Sequence, residues 1–202
     1  MFTGVTKISG SAFSNCSKLI NFKFPDSINT IGDVAFYGAG ISLELNLPNL
    51  SSLGNYGVFN KTHITKIINL GKITHTGASG GNYWNGTFAN CEFLKEVVLP
   101  ETLTSITEGA FYNCVNLLKI DIASSVTNIS NYVLQACSSL ESIICRAIVP
   151  PSLGSTGAFA STNNCPIYVP DESVTAYQEA TNWSSYADRI YPISVYEGGG
   201  TD

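Results

Sequence analysis

Apolar residues return along this chain with a long, regular period. A phenylalanine next to small residues stands at Phe13, Phe36, Phe59, Phe88 and Phe111, and Leu134 continues the series; the steps between them are 23, 23, 29, 23 and 23 residues. Other positions keep the same beat. Three residues after the anchor stand Cys16, Cys91, Cys114 and Cys137, and six after it Leu19, Leu94, Leu117 and Leu140. Nine and eleven after it come the pairs Phe22/Phe24, Leu45/Leu47, Ile68/Leu70, Val97/Leu99, Ile120/Ile122 and Ile143/Cys145. Five before four of the anchors sits Ile8, Ile31, Ile106 or Ile129.

Two apolar residues separated by one outward residue share a face of a strand. A single repeat cannot bury such a face, but stacked copies can, as parallel strands about 4.8 Å apart. The anchor and the isoleucine before it close the core from the opposite wall of each coil. The "AFxxC" piece is too short for an ordinary helix and reads as one helical or 3-10 turn. Pro25, Pro48 and Pro100 follow the strand and end its pairing. The pattern predicts a solenoid.

The segment "LLKIDI" (Leu117 to Ile122) has the spacing of a leucine-rich repeat. With "ITEGAFYNC" before it, and with "VVLPETLTSI" and "FPDSINTIGDVAF" elsewhere, the chain resembles the BspA-like leucine-rich repeat proteins of bacterial surfaces over about residues 5–150. The segment "CPIYVPDESVTAYQEATNWSSYADRIYPIS" resembles that family's C-terminal cap. The resemblance implies a right-handed leucine-rich repeat solenoid with a short parallel sheet on one face, short helical turns or loops opposite, and a small α/β cap. The division is residues 1–150 for the repeats, 151–196 for a last repeat and cap, and 197–202 for a flexible tail. In the cap, "PIYV" predicts a strand, Asp171 or Ser173 an N-cap, and Val174 and Tyr177 one apolar helix face. A second short helical segment is expected around Tyr186–Ile190. No comparable cap is visible at the N-terminus, which leaves the first coil exposed or covered by an upstream segment or partner.

Candidate binding residues follow from the same register. Positions eight and ten after each anchor point outward: Asn21 and Lys23, Glu44 and Asn46, Ile67 and Asn69, Glu96 and Val98, Lys119 and Asp121, then Ser142 and Ile144. In leucine-rich repeats this face often binds protein, which makes these columns the leading interaction surface. The long step adds six residues near 75–81, where Gly77, Gly80 and Gly81 mark a loop flanked by His75, Tyr83 and Trp84. Tyr83 and Trp84 either stack on a sugar ring or partner, or one of them fills the core place of the missing isoleucine.

Composition narrows the functions. Charged residues make up 12% and the net charge is −5, without a basic stripe, so no nucleic-acid partner is expected. No apolar run approaches the ~20 residues of a membrane span, and the residues after Met1 lack the pattern of a signal peptide. His63 and His75, the two histidines, have no metal-like spacing with acids or cysteines, and no HExxH, GxSxG or P-loop pattern occurs. No metal, cofactor or enzymatic chemistry is predicted. The recurring cysteines read as buried free thiols, with Cys145 and Cys165 the one pair to check for a disulfide. The expectation is an extracellular or cell-surface module that binds proteins or glycoproteins of a host or of other cells, an adhesion role that the family resemblance implies. A structural spacer in a surface or virion assembly and a carbohydrate-binding module are the alternatives.

Overall fold

A computed structural model describes residues 4–77 and 83–197. Thirteen short strands run through the described residues: β1 (Lys7–Ile8), β2 (Thr30–Ile31), β3 (Glu44–Asn46), β4 (Ser52–Leu53), β5 (Lys66–Asn69), β6 (Glu96–Val98), β7 (Ser105–Ile106), β8 (Lys119–Ile122), β9 (Asn128–Ile129), β10 (Ser142–Cys145), β11 (Ser152–Leu153), β12 (Ile167–Val169) and β13 (Ile190–Pro192). Helices α1 (Val174–Glu179) and α2 (Ile193–Glu197) belong to the C-terminal end. The chain is a parallel-β solenoid. Its main sheet has the order β13-β12-β10-β8-β6-β5-β3, every pair parallel. The back wall is made of two short ladders, β1-β2-β4 and β11-β9-β7, and His75 pairs with Ser105 next to the second.

The apolar columns fill the space between the walls. Leu45, Val97, Ile120, Ile143 and Ile167 from the main sheet and Ile31, Ile106 and Ile129 from the back wall are fully buried or nearly so. Between them runs a stack of rings. Phe13, Phe36, Phe59, Phe88 and Phe111 lie with successive centroids 5.1, 5.5, 5.4 and 5.4 Å apart, and the last three are parallel within 6°. The coil rise, set by strand pairing, places equivalent rings at stacking distance, so the ladder follows from the repeat itself.

The "AFxxC" segment differs from the expected helical turn. It is a run of β-turns that stacks as a third wall. In the fifth coil Ala110, Tyr112 and Cys114 donate N–H groups to Thr107, Gly109 and Phe111 of the same coil. The alternate residues Gly109, Phe111 and Asn113 donate instead to Asn131, Val133 and Gln135 of the next coil, at 2.8–3.0 Å. Each amide therefore has a partner although no helix forms. The alternation comes with left-handed backbone two residues after each anchor, and in most coils also two residues before it. Gly109 has φ 61°, and Asn15, Asn90 and Asn113 have φ of 57–58°. Asparagine tolerates this conformation better than other residues with a Cβ, which explains the "FxNC" asparagines.

The cysteine column has a polar role as well as filling space. The thiols of Cys91, Cys114 and Cys137 donate to the carbonyls of Phe59, Phe88 and Phe111 in the preceding coil, at 3.1–3.2 Å. Thr62 and Thr162 hold the same column and donate to their own coil's Phe59 and Phe159. Phe159 is thus a further anchor, buried and 25 residues beyond Leu134. Cys145 and Cys165 are free, and Cys145 instead contacts the Tyr177 hydroxyl at 3.2 Å.

Three details depart from the sequence reading. Ile67 is a core residue and Ile68 faces out, because the third coil is one residue short before its strand, and the pairing shifts between Leu45 and Asn46 to restore the register. Ile64, five and not six residues after its anchor, carries the evidence for that shortening. Thr76, not Tyr83 or Trp84, occupies the place of the missing isoleucine: it is buried, follows His75 in the back-wall pairing and bonds Thr107. In the cap, neither Asp171 nor Ser173 caps α1 through its side chain. The Ser173 hydroxyl donates to the Ile148 carbonyl, and Asp171 accepts from the Ser194 amide, a bond that holds its carboxyl below the usual range.

The C-terminal end is closed. β13 extends the main sheet, and Tyr177 and Trp183 are driven into the open core edge, their rings 4.8 Å apart. Both stay satisfied there: Tyr177 donates to Ala147 at 2.7 Å and Trp183 to Pro151 at 2.8 Å. At the other end Phe13, Phe22 and Phe24 remain only half-buried.

Candidate interaction surface

The outward residues of the main sheet form two columns. In the first, strand pairing sets Glu44 beside Lys66, Lys66 beside Glu96, and Glu96 beside Lys119. Sign alternates along this row. Lys66 meets Glu96 at 2.6 Å, and that hydrogen bond, supported by the charges of Glu96 and Glu44, raises the ammonium pKa above its ordinary value. The second column runs through Asn46, Ile68 with Asn69, Val98, Asp121, Ile144 and Tyr168. Ile68 and Val98 are 39% and 41% exposed, large fractions for β-branched residues, and stand next to the Lys66–Glu96 pair.

The face is open over only part of its length. Toward the C-terminus it is occupied by the chain itself. Arg146 donates from Nε and one Nη to the two Asp121 oxygens, at 2.7 and 2.8 Å. Tyr196 of α2 packs against Tyr168 with tilted rings 4.9 Å apart and lies under the Lys119 ammonium, also at 4.9 Å. Ile144, between Asp121 and Tyr168 in register, is fully buried although it points outward, and Ser142 is buried too. Lys119 and Asp121 are therefore held by internal partners. At the other end, Asn21 and Lys23 are exposed on the first coil, which has no paired strand there.

The open part consists of Glu44, Asn46, Lys66, Ile68, Glu96 and Val98, with Asn69 half-buried at its edge and accepting from Gly71. Lys66 and Ile68 were missing from the sequence-based set because the uncorrected register placed Ile67 outward.

His75 and Trp84 do not adjoin this face. His75 is exposed on the back wall and its Nδ1 accepts from the Gly77 amide at 3.2 Å. Trp84 is 49% exposed in a 3-10 turn, Tyr83–Asn85, and its carbonyl accepts from Asn60. The side chain of Tyr83 and residues 78–82, including Gly80 and Gly81 of the predicted loop, lie outside the described residues. The two histidines stay apart: His63 packs on Phe93 at 4.7 Å, and these two rings with Lys61, Thr62, Asn90 and Glu92 line a shallow depression of about 250 Å³ on the turn wall. Among the described residues no group of three His, Cys, Asp or Glu side chains stands together to hold a metal.

Stacked coils with one broad parallel sheet and an outward mixed-charge face define a leucine-rich repeat solenoid. The model of the BspA type leucine rich repeat region matches residues 1–79 and 84–186 in six copies, and the chain belongs to that family. Among solved structures it is similar to a leucine-rich repeat protein from Bacteroides ovatus, with 19% identity and a TM-score of 0.62 over 82% of this chain and 47% of that one. It is also similar to one from Eubacterium ventriosum, with 20% identity and a TM-score of 0.58 over 78% of this chain and 43% of that one. The chain thus spans less than half the length of either protein. No curated protein matches it. Among the described residues no helix is long and apolar enough to cross a membrane.

Proposed function

We propose that the chain is a non-enzymatic recognition module displayed at a bacterial cell surface or secreted, where it binds proteins or glycoproteins of a host or of other cells. The observation that carries this reading is the open half of the main sheet. Ile68 and Val98 supply exposed apolar contact beside alternating Glu44, Lys66 and Glu96, a mixture suited to protein recognition and unlike a solvated sheet of hydroxyls and charges. Family membership supports the surface location.

The face is a row of short parallel strands, so affinity comes from many contacts across strands and from shape. The test is solid-phase binding of the purified chain to a panel of immobilised extracellular-matrix proteins and to intact cells. Any ligand found is then retested against an Ile68→Glu/Val98→Glu variant. Loss of binding with an unchanged melting temperature supports the reading; unchanged binding overturns it.

A further inference from the structure

The turn wall has a step between the third and fourth coils. In the fourth, fifth and sixth coils the chain runs Cys91–Leu94, Cys114–Leu117 and Cys137–Leu140, with two residues inside each segment. The second and third coils run Ala39–Ile41 and Thr62–Ile64, with Gly40 or His63 alone inside. Glu92 and Phe93 of the fourth coil therefore face a shorter neighbour on one side. On the other side the fifth coil is of equal length, and Asn116 donates to the Glu92 carbonyl at 2.7 Å. The missing residue leaves the depression of about 250 Å³ lined by Lys61, Thr62, His63, Asn90, Glu92 and Phe93.

The lining combines an open ring with polar groups that have spare capacity. Phe93 is 50% exposed and meets the His63 ring at 4.7 Å, with the planes tilted by 55°. Asn90 gives one Nδ2 hydrogen to Asn60 at 3.3 Å, and its Oδ1 accepts from Asn113 at 3.0 Å. That ladder fixes the amide and leaves its second Nδ2 hydrogen without an acceptor among the described residues. Glu92 and Lys61 are exposed, and among the described residues they form no ion pair with each other. The Lys61 ammonium instead rests over the Tyr37 ring at 5.2 Å.

Charge of both signs borders the depression. An anion drawn by Lys61 is repelled by Glu92, and a cation drawn by Glu92 is repelled by Lys61. What suits both is a neutral molecule with donors, acceptors and one apolar face. A pyranose has that composition: its C–H groups cover a phenyl face, and its hydroxyls both donate and accept. We propose that the depression is a subsite for one neutral pyranose residue of a glycan. The sugar stacks on Phe93, donates hydroxyls to the Glu92 carboxylate, and accepts from Asn90 and Lys61. The bonds to the carboxylate are the strongest of these, because their acceptor is charged. The subsite lies on the turn wall, so it acts independently of recognition by Ile68 and Val98 on the main sheet.

The probes are the methyl pyranosides of galactose, glucose and mannose, each titrated against the full chain by saturation-transfer NMR. At least one binds saturably with a dissociation constant of about 1–10 mM, the affinity of a single shallow site. Phe93→Ala weakens that binding about fivefold or more, and Phe93→Trp retains it. Glu92→Gln weakens it about tenfold. Phe93 and Glu92 are exposed, so these variants keep the melting temperature of the parent. The Ile68→Glu/Val98→Glu variant binds the sugar as the parent does. Absence of saturable binding for all the glycosides, or binding indifferent to Phe93→Ala, overturns the proposal. So does equal binding of sorbitol, which has hydroxyls but no ring face. Tighter binding of acetyl-lysine methylamide that Glu92→Gln abolishes assigns the depression to a peptide side chain and overturns the proposal as well.

Discussion

Replacing Phe111 tests whether the ring stack is the structural spine of the solenoid. Phe111 is fully buried, with Phe88 parallel to it on one side at 5.4 Å and Leu134 next in the column on the other. Phe111→Ala removes most of a ring from a site whose walls are strands fixed by their neighbours, so the cavity cannot collapse. Loss of the transferred area and the cavity together come to about 3–5 kcal/mol. Part of that, about 0.5–1.5 kcal/mol, is the stack on Phe88. Phe111→Leu keeps most of the volume and repeats what Leu134 already does in this column, so it loses chiefly the stack, about 1–2 kcal/mol. The assay is guanidinium unfolding, in a Trp84→Phe background, followed by circular dichroism and by the fluorescence of the remaining Trp183, which is buried in the cap. Coincident transitions show that mid-coil and cap unfold together, as required for a single free energy. A loss below about 1 kcal/mol for Phe111→Ala, or a larger loss for leucine than for alanine, would refute the packing argument.

Three further outcomes are expected. In native protein one of the six cysteines, the exposed Cys16, reacts promptly with a thiol reagent, and all six react in denaturant; rapid native reaction of Cys114 would mean that its column is open. Burial pushes the thiols of Cys91 and Cys145 up from 9.0 to about 11. Stability is therefore full below pH 9 and falls as pH rises toward 11, since the unfolded chain sheds these protons first; flat stability across that window, read by chemical denaturation, contradicts the assignment. Asn113→Ala costs about 1–2 kcal/mol because alanine is strained at φ 57°, whereas Asn113→Gly, which lacks that strain, loses less; equal losses would place the cost in the Asn113–Asn90 side-chain bond instead.

The period was legible because each coil must bury the same face, so Phe13 to Phe111 and the apolar strand columns recur in the sequence. The details that escaped it are places where the backbone adjusts without changing the overall beat. A residue missing before Ile64 is offset by the shift in pairing before Leu70, and the net spacing hides the exchange of Ile67 for Ile68. The left-handed turns leave only a preference for asparagine or glycine, which reads as well as the end of a short helix. Thr76 replaces an isoleucine by bonding Thr107, so hydrophobicity alone could not find it. On the candidate surface, the alternating outward positions Glu44, Glu96 and Val98 could be read directly. The cover over Lys119 and Asp121 could not, because Tyr196 and Arg146 reach them from other parts of the chain.

The measurement that bears most directly on the functional account is the ratio of dissociation constants for one identified protein ligand between two variants of equal charge. Val98→Glu alters the open part of the main sheet, and Thr104→Glu alters the exposed back wall of the same region. Recognition by the main sheet predicts at least about tenfold weaker binding for Val98→Glu and binding within about twofold of wild type for Thr104→Glu. Equal affinities, or the reverse order, would contradict it.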